Sequence, residues 1–247
     1  MLPARIALCC LARTFCINAA ITARGMQEIG LACVLAPALQ YLYPDPAARA
    51  RAFARHGGHS NTHVFMAPLH VGILLALECQ AARSTLPEAA IPALRDTLGT
   101  TLSALGDAFF SGTLLPFWAL GSICLILAGL PGLTLLLACF LLLALLAFRV
   151  LAFFAALRHG IAVLVQLRRL DLINRAGRLK TINTLLTCLT FWLVCRTSGM
   201  GWQASALAGM AVMAGAWLTG RLHLPRILLW PGLLAVLILM DETLAAM

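Results

Sequence analysis

Charged residues are scarce in this chain of 247 residues, because Asp, Glu, Lys and Arg together make up only 11% of it. A typical soluble domain carries about 25%. Four long runs contain none of these residues, at 108–148, 181–195, 197–220 and 227–240. A bilayer crossing needs about 20 mostly apolar residues, and backbone groups inside lipid must pair within their own segment. The composition therefore excludes an ordinary soluble domain and predicts membrane helices.

Several motifs of catalytic and nucleotide-binding proteins are also missing. The sequence has no GxSxG nucleophile motif, no P-loop and no GxGxxG after a predicted strand. It therefore predicts neither an ATPase nor a covalent phosphoryl carrier, and no cofactor. If the chain takes part in driven transport, the energy comes from a partner or a gradient.

Acidic residues are few, 9 against 18 Lys and Arg, and no pair of cysteines forms a CxxC motif. The basic residues flank apolar runs, which favours membrane orientation by the positive-inside rule over binding to nucleic acid. Most of the nine cysteines lie in apolar stretches, so we expect packing residues rather than a disulfide framework.

The order of segments predicts an all-α integral membrane protein with an N-terminal amphipathic helix, two broken or re-entrant helical segments and then about four to five transmembrane helices. We divide it into residues 1–60, with the N-terminal amphipathic and cytoplasmic-side helices, 61–116, with the broken hairpins, and 117–247, the transmembrane region. At the N-terminus, Arg13 interrupts the apolar run, which favours a surface helix over a cleaved signal peptide.

The transmembrane region contains several apolar segments and one basic segment at 158–180, which we expect on the cytoplasmic side. The expected spans are Phe117–Leu130, Leu133–Leu157, Thr181–Arg196, Ala204–Gly220 and Ile227–Met240.

Two apolar segments that precede these spans, Asn61–Glu78 and Leu98–Pro116, are short and contain proline and glycine. We expect Pro68 and Gly72 to interrupt the first of them. In transporters, such interrupted segments are the best pointer in a sequence to the substrate site, because half-helix ends expose unpaired backbone groups.

Asp107 is the most informative charged residue, because the next charge along the chain is Arg149. An ionised residue at membrane depth is costly unless it is paired or hydrated, so it is a candidate ligand by default. A carboxylate can accept hydrogen bonds from sugar hydroxyls. The alternative is an N-cap, since Gly106 and Asp107 precede an apolar run. Both roles remain open.

Polar residues at the start of the first interrupted segment, Asn61, Thr62 and His63, suit hydroxyl recognition, although Asn61 is equally an acceptable N-cap. At the end of this segment, Glu78 is expected to pair with an arginine such as Arg83, or to face a cavity. Histidines recur at positions 56, 63 and 70, a spacing that could suit zinc on one helix, but glycine and proline interrupt it. We therefore predict no metal site.

Three motifs, taken in order, make the first half of the chain resemble the membrane subunit IID of mannose/fructose/sorbose-type sugar phosphotransferase systems. They are RGMQEIGLACVLAPALQYLYPD, RHGGHSNTHVFMAPLHVGILLALE and GTTLSALGDAFFSGTLLP. The resemblance also shows departures from the family pattern: Val64, Thr100 and Ala108 stand where prolines are expected, and Leu115 stands where an arginine is expected.

The resemblance implies a non-catalytic subunit of the bacterial cytoplasmic membrane that forms a sugar path with subunit IIC. Soluble IIA and IIB proteins would phosphorylate the arriving hexose-type sugar. It implies substrate contacts from Asn61, Thr62, His63, Asp107 and Thr113, and gating or structural roles for the residues that accompany them. These are Glu78, Gly106, Gly112 and Pro116. A diverged scaffold or receptor of the same fold, which does not transport, and a metal-binding permease or membrane enzyme remain alternatives.

Overall fold

A computed structural model describes residues 2–199, 201–203, 205–207, 209–210 and 213–214. Regular secondary structure in these residues is helical, apart from two isolated β-bridges, Thr22 with Met26 and Met26 with Ser60. The helices are α1 (Ala4–Arg13), α2 (Glu28–Leu42), α3 (Pro46–His56), α4 (Ala67–Ala81), α5 (Ala90–Gly106), α6 (Leu115–Leu127), α7 (Pro131–His159), α8 (Val163–Arg169) and α9 (Leu172–Thr197). The predicted all-α fold class is therefore confirmed.

The chain divides into two compact units, Met1–Thr187 and Cys188–Met247. The first contains α1 to α8, most of α9 and every cavity discussed below. The second contains the end of α9, where the Arg196 guanidinium lies 5.1 Å from the centre of the Trp192 ring.

Two helical stretches of the described residues are long and apolar enough to cross a membrane, Ala90–Leu127 and Pro131–Thr197. The expected spans between Phe117 and Arg196 lie largely within these stretches. The turn between α6 and α7 falls at residues 128–130, where Gly129 adopts a left-handed backbone conformation (φ 75°), and Pro131 begins α7. The expected span Ile227–Met240 and most of Ala204–Gly220 lie outside the described residues.

The sequence predicts that the two segments are broken or re-entrant, and the structure contradicts the breaks, whereas the re-entrant alternative stays a prediction. Helix α4 is continuous, because Pro68 occupies its first turn, where a missing N–H costs nothing. Helices α5 and α6 are joined by a π-helical segment, Asp107–Leu114, so that the stretch from Ala90 to Leu127 is also one continuous helix. Asp107 has right-handed helical backbone angles within this stretch, which also contradicts the N-cap alternative.

Helix α4 is the centre of the first unit, because every residue from Ala67 to Glu78 is buried. It packs most extensively against α7. A Cβ atom on Gly72 would lie 2.6 Å from the carbonyl oxygen of Phe153 and 2.7 Å from the Cβ of Ala156, both on α7. The role of Gly72 is therefore to let two helices approach closely, and not to interrupt α4.

A buried ion pair joins α3 to the end of α4. The Glu78 carboxylate, which is fully buried, accepts hydrogen bonds from Arg55 Nε (2.8 Å), Arg55 Nη2 (2.7 Å), His56 Nε2 (2.6 Å) and the Tyr43 hydroxyl (2.8 Å). The expected pairing of Glu78 with an arginine is present, but the partner is Arg55 and not Arg83, which lines a different cavity. Four donors around one carboxylate satisfy the charge, as a buried ion requires.

We predict that Gly72→Ala destabilises the protein by about 1–3 kcal/mol, because the added methyl group has no room between α4 and α7. Gly177→Ala is the matched control, because Gly177 lies in α9 and a Cβ there meets no atom within 4 Å. That control should be neutral or slightly stabilising. Thermal unfolding of the purified protein in detergent measures both. Equal unfolding midpoints for the two variants would contradict the close approach of α4 and α7.

We also predict that Glu78→Gln destabilises the protein by about 3–5 kcal/mol at neutral pH, because it removes the buried counter-charge of Arg55 and leaves only the half-exposed Glu88, 2.6 Å from Arg55 Nη1. Helix α4 lies outside the two candidate spans. Burial by itself would raise the pKa of Glu78, but the hydrogen bonds from Arg55, His56 and Tyr43 outweigh it and hold this pKa well below its ordinary value of 4.5.

The stabilisation from Glu78 is therefore complete above about pH 4.5 and is lost as pH falls toward the lower pKa of the folded state. The difference in unfolding midpoint between wild type and Glu78→Gln should narrow in the acid range. Asp45→Asn, which keeps a good N-cap on α3, serves as the control. A difference that does not change from pH 7 to pH 3 would contradict a buried, ionised Glu78.

Candidate functional site

A polar cleft of about 540 Å³ lies between one face of α5 and the loop at residues 59–61. Residues of the helix that line it recur at intervals of three or four, which places them on one side of a helix. They are Asp96, Gly99, Thr100, Ser103 and Asp107, with Arg95 and Ala104 beside them, and the loop adds His59, Ser60 and Asn61. The lining is rich in hydroxyl, amide and carboxylate groups, and the volume is within the usual range for small-molecule sites.

The loop of the cleft is held by the side chain of Gln27, which is buried. Its Nε2 donates to the carbonyl oxygen of Thr62 (2.8 Å) and to Asn18 Oδ1 (2.7 Å), and its Oε1 accepts from the N–H of Thr62 (2.8 Å). The backbone of Ser60 also pairs with Gly25 and Gln27. One amide group therefore fixes the loop from the N-terminal side of α2.

A chain of hydrogen bonds passes from the loop through α4 to α5. His70 Nε2 lies 3.2 Å from the carbonyl oxygen of Arg95, and its Nδ1 lies 3.1 Å from Thr62 Oγ1. Because a carbonyl only accepts, Nε2 carries the proton and the Thr62 hydroxyl donates to Nδ1. Burial lowers the pKa of His70 to about 4, consistent with this neutral tautomer. The Thr62 hydroxyl proton is therefore engaged inside the fold.

His63 packs against α5 at a place where only glycine fits. A Cβ on Gly106 would lie 2.4 Å from the Cβ of His63. The His63 ring stacks on Phe110 with ring centres 5.3 Å apart, and its Nε2 lies 3.0 Å from Ser111 Oγ. Its Nδ1 accepts from the N–H of Phe65 (3.2 Å), so Nε2 carries the proton of the neutral ring and donates to Ser111.

The π-helical segment contains the remaining predicted site residues. Thr113 is buried, its hydroxyl donates to the carbonyl of Phe109 (2.5 Å) and its own carbonyl accepts from Asn183 Nδ2 on α9 (2.9 Å). Gly112 is exposed, and Pro116 lies in the first turn of α6, just after the segment. A proline ring conflicts with the carbonyl four residues earlier, which is that of Gly112, and the wider π turn relieves this conflict.

Asp107 differs from the other acidic residues near the core, because its carboxylate faces the cleft and is exposed. Within the described residues it takes part in no hydrogen bond or ion pair. Its charge does reach His63: burial lowers the pKa of His63, and the nearby Asp107 carboxylate partly offsets this effect. Both carboxylate oxygens are therefore available to a ligand in the cleft.

The structure brings together only part of the predicted site. Asn61 and Asp107 line the cleft, His63 lies beside it, and Thr62 and Thr113 are buried with their hydroxyls bonded internally. The three histidines at intervals of seven do not converge, because His56 contacts Glu78 and the other two contact Ser111 and Thr62. In the part of the chain that is described, no group of three metal-ligating side chains is present.

Sequence reasoning predicted only Asn61 and Asp107 among the residues of the cleft, and the polar residues of α5 that it missed are Arg95, Asp96, Thr100 and Ser103. Their helical spacing with Asp107 was the available signal, but it becomes visible only if residues 90–107 are taken as one helix. It also missed Arg149, a buried residue of α7 that donates to the carbonyls of Val64 (3.1 Å) and Thr14 (3.1 Å). The signal there was a single cation inside a long apolar run.

Comparison with known proteins places this architecture in a family. The profile of the PTS system mannose/fructose/sorbose family IID component matches residues 4–198. Two mannose-specific EIID components, from Escherichia coli K12 and O157:H7, are each 38% identical to this chain over 100 residues. The matched segment is 39% of this chain and 35% of each relative, so the chain spans about a third of the length of these curated relatives.

Two solved structures share the fold. One, described only as a membrane protein, has a TM-score of 0.74 and 21% identity, and the other, a cryo-EM complex of the mannose transporter ManYZ with microcin E492, has a TM-score of 0.57 and 20% identity. Each comparison covers 98% of this chain and 97% of the other. Because the family profile spans most of its length, this chain belongs to the mannose/fructose/sorbose family of sugar phosphotransferase systems as a membrane IID component.

Proposed function

We propose that this chain is the IID subunit of a sugar permease in the bacterial cytoplasmic membrane, which it crosses several times, and that it forms the sugar path together with a IIC subunit. Soluble IIA and IIB proteins supply the phosphoryl group for the arriving sugar, and the chain itself has no catalytic role. Membership of the IID family and two helical stretches long enough to span a membrane support this proposal.

The observation that carries the proposal is the unpaired carboxylate of Asp107 on a helix apolar enough to enter the bilayer. A charge at membrane depth is retained where it faces a polar cavity. The cleft provides such a cavity, and its hydroxyl and amide groups continue along α5 and the loop. A sugar presents many hydroxyls, each able to donate to a carboxylate or accept from an amide.

We assign direct contacts with the sugar to Asp107 and Asn61, which line the cleft. His63, Thr62 and Thr113 do not line the cleft, and their polar atoms are bonded within the fold, so we assign them a positioning role. Gly106, Gly112 and Pro116 determine the path of the helix, and the distant Glu78 holds α3 against α4.

One departure from the family pattern alters the cleft itself. Thr100 stands where the resemblance expects proline, and its side chain lines the cleft while its hydroxyl donates to the carbonyl of Asp96 (2.9 Å). The lone pairs of that hydroxyl remain able to accept from a sugar. We therefore propose that position 100 contributes to the choice among hexose-type sugars.

We predict that Asp107→Asn lowers sugar uptake at least about tenfold, because a hydrogen bond to a charged acceptor is worth about 1.5–3 kcal/mol. The measurement is uptake of labelled mannose, fructose, glucose and sorbose by cells that make this chain with its IIC, IIB and IIA partners. Co-purification with IIC shows whether the variant still assembles. Asp45→Asn is the matched control, since Asp45 is an exposed N-cap outside the cleft and Asn caps equally well.

Two negative results have different meanings. If the wild-type chain assembles with IIC but supports no uptake of any of the four sugars, the transport function is refuted, which favours a scaffold of the same fold. If wild type transports and assembled Asp107→Asn transports equally well, the assignment of the cleft is refuted while the function stands.

A further inference from the structure

A second cavity, of about 670 Å³, lies between the C-terminal ends of α4 and α7. None of its lining residues lines the polar cleft. Three cationic or titratable side chains reach it: Arg83, just beyond α4, and Arg158 and His159, in the last turn of α7. The residues that line it include no Asp or Glu.

The three side chains differ from the arginines inside the fold. Arg55 pairs with Glu78 and Arg149 donates to backbone carbonyls. Within the described residues, no hydrogen bond or ion pair involves the side chains of Arg83, Arg158 or His159. Arg83 and Arg158 are exposed and line one cavity, so an anion there would meet two cations with no acidic residue in the lining. Guanidinium groups match phosphate oxygens with two parallel hydrogen bonds.

The cavity also has apolar lining residues. Leu2, Phe154 and Leu157 line it, and Phe154 is 37% exposed. This apolar surface continues along α7 into the exposed side chains of Leu151, Leu143 and Phe140, on a stretch apolar enough to cross a membrane. Free phosphate would gain nothing from this apolar surface, whereas the acyl chains of a lipid would bury it.

We propose that this cavity binds the phosphate of an anionic phospholipid, with Arg83 and Arg158 on the head group and the acyl chains along Phe154 and α7. His159 adds a hydrogen-bond donor at the rim. A basic pocket at the end of a membrane helix is a favourable place for an anionic lipid head group. Such a lipid would tie the end of α4 to the end of α7 at the membrane boundary.

The test is native mass spectrometry of the full-length chain in detergent, titrated with phosphatidylglycerol or phosphatidylcholine. We expect wild type to bind phosphatidylglycerol at least about tenfold more tightly than phosphatidylcholine. The double variant Arg83→Gln/Arg158→Gln should lose this preference. The matched control is Arg168→Gln/Arg169→Gln, which removes the same charge from exposed positions in α8 that do not line the cavity. It should keep the preference.

Two further measurements separate a lipid from a free anion. Inorganic phosphate at millimolar concentration should not displace phosphatidylglycerol from wild type, and Phe154→Ser should weaken lipid binding although it changes no charge. If both double variants lost the preference for phosphatidylglycerol equally, the proposal would be overturned, because the lipid would then be attracted by the overall positive charge and not by this cavity. Displacement by phosphate, together with unchanged binding to Phe154→Ser, would assign the cavity to a free anion and also overturn it.

Discussion

Helix α4 is enclosed by protein along most of its length, and this enclosure fixes the positions of the helices around it. Buried polar groups must be paired, so each one on α4 requires a partner on another element. Glu78 finds Arg55 and His56 on α3, and His70 finds Thr62 in the loop and the Arg95 carbonyl on α5. The two buried polar residues of α4 therefore set the positions of α3, of the loop and of α5.

The polar cleft follows from the position of α5. The contacts of His70 and Gly106 hold the loop against one side of α5. The adjacent side of α5 presents Ser103 and Asp107 to the cleft. The π-helical segment then adds an extra residue to each turn. It directs Phe110 inward onto His63 and Phe148, while Asp107 still faces the cleft. A charged residue and an aromatic core are thus accommodated within one continuous helix.

The sequence was sufficient for the helical class, the membrane character and the family, because these depend on composition and on motifs with several residues. The sequence did not predict that the helices are continuous. From sequence, Pro68 and Gly72 predict helix breaks, but proline is harmless in a first turn and this glycine allows a close approach to α7. From sequence, Asp107 is either an N-cap or a ligand, and only its helical backbone angles exclude the N-cap. The role of each of these residues depends on its place in a helix and on the side chains packed against it, which the local sequence does not contain.

The arginines of α7 show how position along one helix decides what a cation does. Arg149 lies within the apolar stretch and is buried, where bulk water cannot solvate it. Two carbonyls, of Thr14 and Val64, and the ring of Phe15, 4.1 Å from the guanidinium carbon, replace the water and engage that group. Near the end of the same helix, Arg158 is exposed and has no protein partner among the described residues. The fold engages both Nη atoms of Arg149, and its Nε, although unpaired, is buried, so this arginine can only stabilise the fold. Arg158 retains the exposed donors that a ligand from outside the chain would need.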